Sequence, residues 1–270
     1  MKNIAIITGA SSGIGKEFVR QIDGGYVGKV DEIWVIARNS EKLEALKGNT
    51  FSKLRVFSAD LAIEDELSDF LTALKEENPR VQVLVNSAGW GKFSDVSNSS
   101  LAELENMVDV NVQALVEMCY QVLPYLVRGS KIINISSSAA FMPLPGSAVY
   151  AASKAFVLSF SRALNHELKD VDITVTAVCP TGVRTNFFNK AGNQSGVKNI
   201  VDSFGITDAF TVVREALEDA EQGKDLSIPT LSGWLMYYSS KLLPYQAMMA
   251  IQDYLKNNYS EEENTSAAQA

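Results

Sequence analysis

The sequence predicts a single α/β domain: a doubly wound parallel sheet with helices on both faces and an apolar C-terminal extension. Three observations lead there. Short apolar runs alternate with helix-patterned stretches along most of the chain. A glycine-rich turn, TGASSGIG at Thr8 to Gly15, joins the first apolar run to the first helical stretch. The length of 270 residues suits one large core, since single cores stop growing near ~250–300 residues.

The elements follow in order. Asn3 to Thr8 is rich in Ile and reads as a buried strand; helical patterning runs from Gly13 to about Ile22. Strand-like runs recur at Glu32–Ala37, Lys53–Ser58, Val81–Asn86, Lys131–Ser136 and Asp172–Cys179. Helical stretches lie between them at Ser40–Leu46, Ile63–Glu77, Leu101–Leu126 and Tyr150–Leu168. Such alternation implies βαβ crossovers and a parallel sheet covered on both faces. Ligands of such sheets bind beyond the carboxyl ends of the strands. Polar residues should therefore gather just after strands, and they do, at Thr8–Gly15, Arg38, Asp60, Asn86–Gly89, Ser136–Ser138 and Pro180–Thr185.

Composition narrows the function. Hydrophobic residues make up 46% and charged residues 21%, ordinary for a globular protein. A net charge of −8 argues against nucleic acid, whose binding needs clustered Lys and Arg, and against attraction to an anionic membrane. Cys119 and Cys179 have no metal-type spacing, and their scarcity fits a reducing compartment. The first apolar run is too short for a secretory signal, so a cytoplasmic protein is expected.

The glycine turn points to a dinucleotide. Gly9, Gly13 and Gly15 would let the backbone approach a pyrophosphate, with Ser11, Ser12 and Ile14 completing the turn at a helix N-terminus. Arg38 ends the second strand, where an adenosine ribose should sit. NAD binders usually place an acid there, whereas an Arg accommodates a 2′-phosphate. NADP(H) is therefore the expected cofactor, with Ser11 as a second donor to that phosphate.

Ser137, Tyr150 and Lys154 supply chemistry to match. Tyr150 and Lys154 are four apart in YAASK and share a helix face. Ser137 follows the strand KIINIS and would project towards that helix. Ketone reduction needs a hydride on carbon and a proton on oxygen; a tyrosine hydroxyl can give the proton. Its ordinary pKa is about 10, so a neighbouring ammonium is expected to lower it. Ser137 would donate to the developing oxyanion.

With these motifs in place, the sequence resembles the short, single-domain branch of the short-chain dehydrogenases/reductases, from Asn3 to about Asn189. TGASSGIG is similar to that branch's TGxxxGxG turn, and NSAG at Asn86–Gly89 to its NNAG motif, with Ser87 in place of an Asn. The resemblance implies a Rossmann-type fold and several roles. Asp60 and Leu61 would lie beside the adenine. Asn86, Ala88 and Gly89 would belong to the cofactor site, and Asn111 would hold a relay water. Tyr150 would be the acid/base, with Lys154 binding the nicotinamide ribose and tuning it. Pro180, Val183 and Thr185 would face the nicotinamide, although Thr181 stands where the family has Gly.

The substrate is less legible. Ser138–Pro145 (SAAFMPLP), Phe187 and Phe188 are apolar and point to a hydrophobic ketone or alcohol: steroid, lipid or aromatic. Residues 1–225 are read as the catalytic part, 226–259 as an apolar segment of the same domain, and 260–270 as a frayed tail. Ser239, Ser240, Lys241 and Pro244 interrupt the apolar stretch from Ile228 to Ile251, so it should not span a membrane. It could cap the pocket, form a subunit interface or lie on a membrane surface. A homo-oligomer, dimer or tetramer, is expected. His166 is too far along the Tyr150 helix to share its site. Two further functions compete: a dinucleotide sensor without turnover, and a nucleotide-sugar epimerase or dehydratase. The first should have lost Tyr or Lys, and the second usually has a different glycine spacing.

Overall fold

The computed structural model describes residues 1–185, 187, 191–192 and 205–254. Phe188, Asn189 and the tail 260–270 lie outside the described residues. Seven strands form one sheet: β1 (Asn3–Thr8), β2 (Glu32–Ala37), β3 (Lys53–Ser58), β4 (Arg80–Asn86), β5 (Leu126–Ile135), β6 (Thr174–Val178) and β9 (Leu226–Ser227). Their order is β3-β2-β1-β4-β5-β6-β9, and every pair is parallel. A small second sheet pairs β7 (Gly182–Val183) with β8 (Ile206–Thr207).

Successive residues of the central strands feed opposite cores, as a period of two requires. Ala5 and Ile7 of β1 join Ile33, Val35, Val83 and Val85 on one face. Helices α1 (Gly13–Asp23) and α7 (Ala209–Glu221) cover that face through Phe18, Val19, Val213 and Leu217. Ile4 and Ile6 join Trp34, Ile36 and Leu84 on the other. There the cover comes from α3 (Ser68–Glu77), α5 (Ala114–Val122) and α6 (Ala148–Glu167). The runs are apolar rather than alternating because both faces are buried. Chain order reverses beside β1, between β2 and β4, and there the carboxyl ends open into a crevice.

Three departures from the sequence reading stand out. The expected helix Leu101–Leu126 is broken into α4 (Leu101–Val108), a π-turn (Asp109–Gln113), α5 and a 3-10 turn (Leu123–Tyr125). The π-turn buries the Asn111 side chain, which bonds to Trp90 and Ser153. β5 starts at Leu126, earlier than its apolar run indicates. β9 is two residues long and has no periodicity to detect. In the C-terminal segment, α8 (Leu231–Leu242) stops at an extended Leu243 before Pro244, as the residue preceding proline prefers. Residues 245–254 are helical again. Among the described residues, no helix is long and apolar enough to cross a membrane.

Candidate active site

One cleft of about 1020 Å³ runs along the carboxyl edge of the sheet. Its first wall is the glycine turn. The Thr8 hydroxyl accepts the Ser87 and Ala88 N–H groups, both at 3.1 Å, and so ties the turn to NSAG. Gly9 has φ +66, and a Cβ there would stand 2.8 Å from the Ala88 backbone. Only glycine allows that approach. Ser11, Ser12, Gly13 and Ile14 line the cleft, and the Ser12 side chain does not cap α1. Gly15 is buried behind them, where a Cβ would lie 2.4 Å from the Gly9 carbonyl oxygen. It shapes the turn rather than facing the cleft.

At the end of β2, Arg38 is well exposed and pairs with Asp60 at 3.4 Å. Asn39 and Lys42 line the cleft beside it. Lys42 went unnoticed in the sequence, although it sits only one helical turn beyond Arg38. Leu61, Ala88 and Gly89 are lining residues, as expected. Asn86 is not: its side-chain amide donates to Asn134 Oδ1 at 2.9 Å and lies behind the wall.

Pro180, Val183 and Thr185 line the opposite side, and Thr185 packs close to Gly13. Thr181 approaches Thr230, the N-cap of α8, at 3.4 Å between hydroxyl oxygens. The residue that departs from the family pattern thus links this loop to the C-terminal segment.

Ser137, Tyr150 and Lys154 converge on the same cleft. β5 ends at Ile135, and α6 is locked against that end from both directions. The Ser136 hydroxyl donates to the Lys154 carbonyl at 2.7 Å, and Lys154 Nζ donates to the Ile135 carbonyl at 2.9 Å. Lys154 Nζ lies 5.9 Å from the Tyr150 ring centre, and the Ser137 hydroxyl is near enough to the Tyr150 phenol to favour its ionised form. Ser137 also accepts the Ala139 N–H at 3.1 Å, which fixes its rotamer at the strand end.

The electrostatics correct one expectation. Burial pushes the Tyr150 phenol up to about 12, against the lowering effect of Ser137. Burial also brings the Lys154 ammonium down to about 8. Desolvation dominates at Tyr150, so the phenol is held protonated rather than acidified. Both thiols are likewise pushed up to about 12 by burial, which leaves them inert.

Asn111 stands behind the wall. Both hydrogens of its amide are committed, to the Trp90 carbonyl at 2.9 Å and to Ser153 Oγ at 3.1 Å. Its oxygen accepts the Trp90 N–H at 3.0 Å. The side chain therefore clamps the loop after NSAG, and a water held here would have to use the backbone of the π-turn. His166 is exposed near the end of α6.

The substrate end is walled by Trp90, Phe93, Met142, Leu144 and Phe187. Met236, Met248, Ile251 and Gln252 bring the C-terminal segment into the same wall. Phe93 and Phe187 flank the Tyr150 ring at 6.2 and 5.7 Å between ring centres.

A family model for short chain dehydrogenases matches residues 3–196. The chain belongs to the short-chain dehydrogenases. Like them it is an oxidoreductase of alcohol and carbonyl groups. This short-chain dehydrogenase is 35% identical to sulfoacetaldehyde reductase 2 of Chromohalobacter salexigens over 194 residues, 69% of this chain and 75% of that protein. Its fold is similar to that of a short-chain dehydrogenase from Sphingobium yanoikuyae solved in complex with NADPH. The TM-score is 0.74, with 26% identity over 92% of this chain and 95% of that one. It is similar also to the bulky-bulky ketone specific alcohol dehydrogenase of Comamonas testosteroni, with TM-score 0.69 and 25% identity over 93% and 94% of the two chains.

Proposed function

We propose that this short-chain dehydrogenase uses NADP(H) to interconvert a bulky, mostly apolar ketone and its secondary alcohol, with Tyr150 as the proton donor and acceptor. One observation carries the reading: Tyr150, Ser137 and Lys154 line one cleft together with the glycine turn, Arg38 and a set of apolar side chains. The groove residues fit the cofactor. The glycine cradle leaves room that any Cβ would fill, and Arg38 and Lys42 offer two cations to a 2′-phosphate. The Sphingobium relative, which holds NADPH, supports the same choice.

When bound, the dinucleotide supplies the hydride to the carbonyl carbon. The chain's own residues handle the oxygen. Ser137 would hold the carbonyl oxygen and donate to it as charge develops. Tyr150 Oη would pass its proton to that oxygen, and its raised pKa keeps the proton available at neutral pH. Lys154, charged below about 8, would stabilise the phenolate left behind. Met142, Leu144, Phe187 and Met248 would exclude water and bind the substrate body by burial. The bulky-ketone specificity of the Comamonas relative supports an apolar substrate of that size.

The test is NADPH consumption with a panel of bulky ketones, for wild type and Tyr150→Phe. Turnover should fall by about 10²–10⁴-fold in the variant, while NADPH binding, read by fluorescence, is retained. Robust turnover by Tyr150→Phe would remove this proton donor from the reaction.

A further inference from the structure

Helix α8 is apolar on both of its long faces, and only one of them is covered. The inner face packs Trp234 and Tyr237 against the cluster of Cys179, Leu226 and Ile228, with the Tyr237 and Phe141 rings 5.1 Å apart between centres. Met236 lines the cleft from the same helix. The outer face carries Leu231, Leu235, Tyr238 and Leu242, which are 55% to 86% exposed. From Leu226 to Gln252 the single charged residue is Lys241. A helix that is hydrophobic all round is ordinarily buried, so the outer face needs a partner. Leu243 and Tyr245 follow directly and are also exposed; with them the apolar surface is on the order of 800 Å², the share that each member of a stable pair buries.

The spacing selects the partner. The four outer residues recur at intervals of 4, 3 and 4, and at ~3.6 residues per turn they fall within an arc of about 60°. Ser232 and Ser239 bound this arc on one side, and Lys241 and the inward-packed Trp234 on the other. So narrow a stripe is the seam of a coiled coil, whose knobs enter the holes of a facing helix. A helix lying in a lipid surface presents a broader face, and a net charge of −8 gives no attraction to an anionic one. The tail 260–270 has no large apolar residue with which to cover the seam. The intervals also read the same in both directions, as a self-complementary patch on a two-fold axis requires. We infer that α8 is a self-association helix, whose outer seam pairs antiparallel with the same seam of a second copy of this chain. The pairing sets Leu231 against Leu242 of the partner subunit and Leu235 against Tyr238 of the partner subunit. It holds α8, and with it Met236, in the cleft wall.

The test measures mass and geometry on the full chain. In sedimentation equilibrium, wild type should be associated at about 100 μM, since interfaces of standard size hold at μM affinity or tighter. Leu235→Glu puts a charge in the middle of the seam and should halve that mass while the chain stays folded by circular dichroism. Leu231→Cys/Leu242→Cys tests the orientation without adding charge, and under mild oxidation it should form a covalent dimer. Neither single variant should do so, because like positions of an antiparallel pair then lie roughly 16 Å apart along the axis, beyond the ~7 Å between Cα atoms that a disulfide allows. The native Cys119 and Cys179 are buried and stay out of the reaction. A wild-type monomer at that concentration, a Leu235→Glu mass equal to that of wild type, or a double-cysteine variant that does not crosslink overturns the inference. Crosslinking by either single variant refutes the antiparallel pairing and the inference with it. Wild type that stays monomeric and pellets with phosphatidylcholine vesicles would assign the seam to lipid instead.

Discussion

The position of the Tyr150 hydroxyl depends on the absence of one carbon atom. A Cβ on Gly91 would stand 2.7 Å from Tyr150 Cδ2, 3.0 Å from Tyr150 Cε2 and 3.0 Å from Phe187 Cζ. Non-bonded carbons sit comfortably at about 3.5–4.0 Å, so Gly91→Ala forces the rings back by roughly 0.5–1.3 Å. The retreat is obstructed, because Phe93 packs edge-on against Tyr150 with 6.2 Å between ring centres. Overpacking of this kind costs about 1–3 kcal/mol, or a fall in Tm of roughly 2–12 °C for a chain of this size. The chemical consequence is larger. A reacting group misplaced by about 1 Å can lose ~10²-fold in rate. Gly91→Ala should therefore lower kcat by roughly 10–100-fold and leave NADPH affinity within about twofold, since the Gly91 contacts are with aromatic rings rather than the glycine turn. Steady-state kinetics, NADPH fluorescence titration and a melting curve on one preparation decide it. A folded variant with kcat within twofold of wild type would show that Gly91 does not set the reach of Tyr150.

Three further outcomes are expected. Arg38→Asp should remove the preference for NADPH over NADH, and Lys42→Ala should weaken NADPH binding by a smaller factor; cofactor KM ratios report both, and an unchanged ratio in Arg38→Asp would mean that the 2′-phosphate sits elsewhere. In the reduction direction, kcat/KM for NADPH should fall as pH rises through about 8, because Lys154 loses its charge there while Tyr150 stays protonated up to about 12. Lys154→Arg should move that limb upward, and a limb that does not respond belongs to another group. Burial alone would raise the Glu32 carboxyl, but hydrogen bonds from Lys53, Lys2 and Trp34 outweigh it and hold it at about 2. That stability is fully present above pH ~4.5 and is lost as pH falls towards 2; allowing for the exposed lysines, it is about 1–2 kcal/mol, and denaturant titration of Glu32→Gln against wild type at pH 7 and pH 3 should show the difference shrinking.

Much of the fold was legible because buried parallel strands leave an uninterrupted apolar run. β1, β2 and β3 have the limits that their runs indicate. β9 was not legible, because two residues carry no period. The π-turn at Asn111 was hidden too: its cause is a side chain turned inward towards Trp90, a contact between distant parts of the chain. The same distinction separates the site residues. Ser137, Tyr150 and Lys154 could be found because their roles depend on residue type at fixed spacing. Gly91 could not, because what singles it out is a ring 2.7 Å from where its Cβ would stand. Gly15, Asn86 and Asn111 were placed in the site by motif, yet the structure sets them behind its wall: Gly15 against Gly9, Asn111 against Trp90, and Asn86 against the buried Asn134.

The opposed shifts of Tyr150 and Lys154 bear on how the site would work. Burial drives each towards its neutral form, the phenol by raising its pKa and the ammonium by lowering it. A pair tuned only for mutual attraction would show the reverse, with the phenol depressed and the ammonium raised. The cleft thus holds a tyrosine that is a weak base and a good proton reservoir, which suits carbonyl reduction near neutral pH. Alcohol oxidation needs the phenolate, and with the phenol at about 12 only about one molecule in 10⁵ would carry it at pH 7. The oxidative direction must therefore draw on positive charge brought into the cleft or on a higher pH, whereas the reductive direction needs neither. Both directions cross one transition state, so their ratio should follow the single proton of the overall reaction at every pH, while discharge of Lys154 should lower both rates together as pH rises through about 8. A reductive rate unchanged from pH 7 to pH 10 would mean that the Lys154 charge does not support the phenolate in the transition state.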